Sequence, residues 1–190
     1  MITSIAAPAV ESAPPRIVRV ACRALQVAAV VSAAGIVFLV GMFVAFALEA
    51  PSTAMALGWV NDVLVIVQYA LLLPTVVVLH RAFRARWPRA SLVASSLGVL
   101  GIAGAVALQS LLVAGVLTFE QEIGPVSVSY IPLGIWFVAT GSFAARSGID
   151  RRGTAYGLLG ASYLGFPIWA ARLAGRLQRL PMMESTPRTA

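Results

Sequence analysis

Asp62 is the side chain with the most chemistry to offer here, because it stands inside Leu57–Leu79, an apolar run long enough to cross a bilayer. An ionisable group in such a place is costly, and where one is kept it commonly serves a proton, an ion or a substrate. The same run carries Asn61, Gln68, Tyr69 and Thr75. Asn61, Gln68 and Thr75 recur every seven residues and so share one stripe of a helix. Asp62 and Tyr69 form a second stripe, about 100° round. If the run enters from the outer surface at Leu57, Asp62 lies about 7 Å deep and Gln68 about 16 Å deep, at about 1.5 Å per residue. Other apolar runs offer polar groups at matching depth, Gln109 about 13 Å from Thr118 and Tyr130 just past Pro125.

Two readings of these groups follow. In one, Asn61, Asp62, Gln68, Tyr69, Gln109, Tyr130 and Trp136 line an outward-opening ligand pocket. Gln68 is then expected to meet Gln109, and Asp62 to meet Asn61, Tyr130 or Ser127. In the other, they are interhelical hydrogen bonds holding a bundle in register, each contributing about 0.6 kcal/mol. Asp62 is shallow enough to reach interfacial water, and a carboxylate near a helix N-terminus is favourable against the helix dipole. Trp136, mid-run, needs a partner for its indole N–H, as a core residue or as part of a cavity wall.

The residues that are missing exclude more. The chain has no Lys, so it can form no Schiff base and has no phosphate-loop Lys or Lys nucleophile. One His (His80) cannot supply paired haem ligands or a His-rich metal site. One Cys (Cys22) excludes an internal disulfide and a CxxC redox pair. No Gly-x-Ser-x-Gly elbow or HExxH pair is present. Glu120 and Glu122 lie in a loop in this reading, and two carboxylates alone make no metal site. A non-enzymatic protein without cofactor or bound metal is expected.

The elements that must position these side chains are membrane helices. Of 190 residues, 59% are hydrophobic and only 11% charged, about half the charge of a soluble domain. The apolar residues cluster into five runs, about 24–48, 57–79, 90–118, 125–145 and 153–171. The expected fold is an all-α bundle of about five transmembrane helices over 24–175. A disordered basic arm (1–23) precedes it and a polar tail (176–190) follows it. The first run is too long for the core of a secretory signal, so it is read as a retained span.

All the basic residues are arginines, and they sit in short clusters between the runs. That is the pattern of topology signals and anionic-lipid contacts, not of a nucleic-acid groove. Five crossings would put ten arginines on the N-terminal side and four on the other, so the N-terminus is expected in the cytoplasm. The loop of Arg81, Arg84, Arg86, Trp87 and Arg89 is expected to hold lipid headgroups. Arg172, Arg176 and Arg179 would then lie outside, on an amphipathic helix at the membrane surface. A fifth segment bent at Pro167, returning the tail to the cytoplasm, also fits the charges, but a simple crossing is the expectation. Small residues at four-residue spacing (Gly153, Gly157, Ala161, Gly165; Ala90, Ala94, Gly98) mark contact faces. These suit packing within the bundle first, and also a homo-oligomer or larger membrane complex. Trp59, Trp87 and Trp169 fall near run ends, as interfacial aromatic residues do.

The last third carries Pro132-Leu133-Gly134-Ile135-Trp136, Arg151-Arg152-Gly153, and Gly165-Phe166-Pro167-Ile168-Trp169. In these it resembles small polytopic integral membrane proteins of bacteria, actinobacterial ones especially, grouped as families of unknown function. The resemblance implies a bundle in the cytoplasmic (inner) membrane and carries over no catalytic residues. An Arg-only, Ala-rich composition is also what a GC-rich bacterial genome encodes. The expected function is an accessory, sensory or lipid- or small-molecule-binding bundle. The alternative is a small transporter or channel using the polar pocket around Asp62 and Gln68.

Overall fold

The computed structural model describes residues 15–148, 152–162 and 164–178. These form seven helices: α1 (Pro15–Ala47), α2 (Pro51–Ala70), α3 (Leu73–Arg84), α4 (Pro88–Val113), α5 (Phe119–Arg146), α6 (Gly153–Ala161) and α7 (Phe166–Gln178). No strand occurs among the described residues. Four stretches are long and apolar enough to cross a membrane: Arg16–Ala47, Pro51–Arg84, Pro88–Val113 and Phe119–Arg146.

Local chemistry explains most of the boundaries. Pro51 and Pro88 open α2 and α4, where a missing N–H costs nothing. Pro74 sits inside the second span and cannot give an N–H to the Ala70 carbonyl, so that span is two helices rather than one. Between them the Leu72 N–H reaches back only to Tyr69, a tighter turn. Gly115, at φ 70°, ends α4 as the left-handed residue of a Schellman motif, with Val116 N–H bonded to the Leu111 carbonyl. Thr118 then caps α5 in a reciprocal capping box with Gln121.

These signals move several expected boundaries. The first helix starts at Pro15, inside the arm expected to be disordered. Ala21, Cys22 and Leu25 are buried there, while Arg16, Arg19 and Arg23 hold the exposed face. Residues 1–14 and 179–190 lie outside the described residues. The third span ends at Val113 rather than Thr118, and the fourth begins at Phe119 rather than Pro125. Glu122 is therefore in a helix, not in a loop.

The fifth span is the largest departure. Where one helix over 153–171 is expected, α6 and α7 stand on either side of a turn at residues 162–165. The Ser162 hydroxyl accepts from Gly165 N–H and donates to the Leu159 carbonyl. At about 1.5 Å per residue neither helix reaches the roughly 30 Å of a bilayer core. They form a hairpin. Arg172 of α7 lies over the Tyr156 ring of α6 at 4.0 Å. Arg172 and Arg176 share a cavity of about 40 Å³ with Gly153, Ala144 and Leu79. The end of α7 thus returns to the start of α6 and to the ends of α3 and α5. The expected surface helix is instead packed into the bundle, with Trp169, Ala174 and Leu177 buried.

Small residues set the helix spacing. Gly98 faces the Trp136 ring, Gly101 the Leu133 backbone and Gly104 the Ser129 side chain, which seats α4 against α5. Gly153 and Gly157 bring the α6 backbone onto that of α5 at Gly141 and Phe137. Beneath the hairpin lies an aromatic cluster in which Phe137 and Trp169 meet edge to face at 4.6 Å. Trp169, expected at an interface, is buried there because the hairpin folds inward.

Candidate functional site

The polar residues converge in the half of the bundle away from the arginines. Trp59 bonds to the Val113 carbonyl and His80 pairs with Ser91, so α2–α3 and α4 run antiparallel in a defined register. That register sets Gln109 level with Asp62, and Gln68 level with Gly104. Gly104 in turn touches Ser129, next to Tyr130. Side chains lean toward their own helix N-terminus, so Gln109 on α4 and Tyr130 on α5 lean toward each other. Their side chains hydrogen-bond.

Asp62 is half-buried and hydrogen-bonds the side chain of Asn61, which is buried. Glu122, in the first turn of α5, is only 2% exposed and feels the charge of Asp62, and Tyr130 feels both carboxylates. One oxygen of Glu122, Oε1, and the Oε1 of Gln109 have no hydrogen-bond partner. Two carboxylates, an amide and a phenol, from three helices, thus gather at the end of the bundle away from the arginines. Oxygen-rich, electron-donating and short of protein donors, such a place suits a positive charge.

The expected pairings are met in part. Asp62 meets Asn61, and Tyr130 is drawn into the same site. Gln68 does not meet Gln109: it is 0% exposed, and neither its amide oxygen nor its nitrogen is hydrogen-bonded. The depths read from sequence took Leu57 and Thr118 as span ends, whereas the helices run from Pro51 and to Val113, which offsets the two glutamines by more than a turn. Ser127 is turned away, bonding the Ile123 carbonyl. Tyr69 lies deeper, its ring 5.7 Å from that of Tyr130 and 6.3 Å from Phe166 at the hairpin tip. Trp136 is fully buried against Phe137, with its indole N–H unbonded. Glu122, expected in a loop, is instead a helical residue of this site. The Thr118-x-x-Gln121 capping box is the signal that would have placed it in a helix.

At the opposite end, Arg86 lies over the Trp87 ring at 4.9 Å and Trp87 stacks on Phe143 at 5.2 Å. Arg86 and Arg89 are exposed, while Arg81 and Arg84 are half-buried. Among the described residues no three His, Cys, Asp or Glu side chains gather to hold a metal ion.

No protein-family model matches the chain, and neither a curated protein nor a solved structure matches it.

Proposed function

We propose that this is a non-enzymatic integral protein of the bacterial cytoplasmic membrane that binds a small ligand in an outward-facing polar pocket between α2, α4 and α5. In this reading the chain crosses four times, with α6–α7 as a re-entrant hairpin entering from the cytoplasmic side. Charge supports it. With four crossings every arginine from Arg16 to Arg176 falls on one side, and Glu49, Glu120 and Glu122 on the other. Five crossings would leave Arg172 and Arg176 outside, against the positive-inside rule. Kinship with small actinobacterial-type membrane proteins is part of the same proposal, as are anionic lipids at Arg81, Arg84, Arg86, Trp87 and Arg89. The glycine rows of α4 and α6 contact α5 within the chain, so a homo-oligomer would use other surfaces, such as the exposed valines of α1.

The single observation that carries the pocket is the convergence of Asp62, Gln109, Glu122 and Tyr130 from three otherwise apolar helices. The test is native mass spectrometry of the protein released from detergent. A retained small molecule or ion that is lost in Gln109→Leu is expected; a bare chain together with a thermal midpoint insensitive to both sodium and pH would sink the idea.

A transporter or channel is the second reading. It draws on Gln68 and Thr75, both 0% exposed and without side-chain partners, which continue a polar line from Asp62 toward the inner end of the bundle. Flux into proteoliposomes that Gln68→Leu abolishes would favour it.

A further inference from the structure

We propose that Asp62 and Glu122 together hold one small cation taken up from the outer side, with the Gln109 amide oxygen as a third donor. The inference rests on the pocket reading above and narrows its ligand to a single positive charge.

Three observations carry it. First, Asp62 and Glu122 stand at the same end of the bundle on two helices that both pack against α4, within range of each other's charge, and Glu122 is only 2% exposed with its Oε1 unpartnered. Second, and independently, Gln109 comes from a different helix. It is 7% exposed, lies level with Asp62 in the α2–α4 register, and keeps an unpartnered oxygen while its side chain bonds to Tyr130. Third, among the described residues no cationic side chain stands at this end of the bundle. Between Arg23 and Ala47, α1 has no ionisable residue, and α4 has none beyond Arg89. On α2–α3 only Tyr69 lies between Asp62 and His80, which is at the far end and bonded to Ser91. On α5, Glu120 is exposed and adds negative charge, Tyr130 is uncharged, and Arg146 closes the opposite end. Arg172 and Arg176 of α7 lie at the base of the hairpin, beside Gly153.

Magnitudes decide what must follow. The N-terminus of α5 contributes roughly half a positive charge to Glu122, and Asp62, mid-helix, receives none. Two negative charges against about half a positive one leave about 1.5 unbalanced in a medium that penalises charge strongly. One added cation leaves about half a charge, an acceptable residue. That cation is either a proton shared by the carboxylates or a sodium-sized ion with carboxylate and amide oxygens as ligands.

The full chain in detergent or nanodiscs tests this by thermal unfolding followed through tryptophan fluorescence, with His80→Gln as background so that the one histidine does not titrate. At pH 8, sodium chloride is compared with N-methyl-D-glucamine chloride at constant ionic strength. Separately, the pH is lowered to 5 without sodium. A midpoint that rises with sodium at pH 8 identifies an ion; one that rises only on acidification identifies a proton. Either supports the proposal. A cation at a hundredfold excess over its Kd should raise the midpoint by about 5–10 °C. Glu122→Gln and Asp62→Asn should each abolish the response. A flat wild-type response to both, or a full response in Glu122→Gln, overturns it. Should neither carboxylate variant fold, Gln109→Leu and infrared spectroscopy decide. A weakened sodium response in that variant, or a protonated-carboxyl band in the wild type at pH 8, supports the site, and the absence of both overturns it. A neutral molecule retained in native mass spectra alongside a flat cation response would keep the pocket and remove the cation.

Discussion

Substituting Gly101 by Ala tests the seam on which the whole site depends. The new Cβ would lie 2.7 Å from Leu133 Cβ, 2.8 Å from its N and 3.0 Å from its Cα, where ordinary contact begins at 3.4 Å. The shortfall is 3.4 − 2.7 = 0.7 Å, against backbone that cannot swing aside. The two helices must therefore part by several tenths of an ångström, along the interface that joins Gln109 to Tyr130. Overpacking of this kind costs about 1–3 kcal/mol. At about 2–4 °C per kcal/mol for a chain this size, the midpoint should fall by about 2–12 °C. Gly124→Ala is the matched control. It lies on α5, the facing helix, with nothing within 4 Å of its added methyl, and Ala favours a helix by up to about 1 kcal/mol over Gly. It should be neutral or stabilising. The assay is loss of the monodisperse peak after heating in detergent. Equal gains in both variants would refute close contact between α4 and α5, and with it the pairing of Gln109 and Tyr130.

Three further outcomes are expected. In a Cys22→Ser background, a membrane-impermeant maleimide added to cells should label Glu120→Cys but not Gln178→Cys or Arg86→Cys; labelling at 178 from outside would restore the five-crossing chain. Gln68→Leu removes a buried amide that bonds to nothing, so the thermal midpoint should rise by an amount equivalent to about 1–3 kcal/mol, and a fall would mean that Gln68 holds a partner. Replacing Arg81, Arg84, Arg86 and Arg89 by Gln should reduce the phosphatidylglycerol molecules retained in native mass spectra, with no change in fold by circular dichroism.

The all-helical fold, the long apolar helices and the polar residues of the second run were legible in the sequence, because they rest on composition and local period. Apolar runs of bilayer length have few other uses. The seven-residue recurrence of Asn61, Gln68 and Thr75 puts them on one face, and all three are buried. Boundaries were read less well because cues were passed over, not because they were absent. Pro74, Gly115 and the Thr118–Gln121 box each mark a break in the chain. Reading them would have split the second span, shortened the third and drawn Glu122 into a helix.

What the tertiary structure alone decided is which faces meet. Asp62 and Glu122 share one end of the bundle because α2 and α5 both lie against α4, α5 through Gly98, Gly101 and Gly104 and α2–α3 through Trp59–Val113 and His80–Ser91, and no spacing along one helix encodes that placement. The fold-back of residues 153–178 was decided in the same way. Its sequence is apolar enough to cross, and Gly141, Gly153 and Gly157 instead let α6 sink onto α5 while α7 packs against α1, with Trp169 and Phe166 filling the space beside Phe137. Sequence determined that Asp62 would lie in an apolar helix of bilayer length. Packing determined that a second carboxylate, Glu122, would stand at the same end of the bundle, because close backbone approach brings side chains from separate helices to one region.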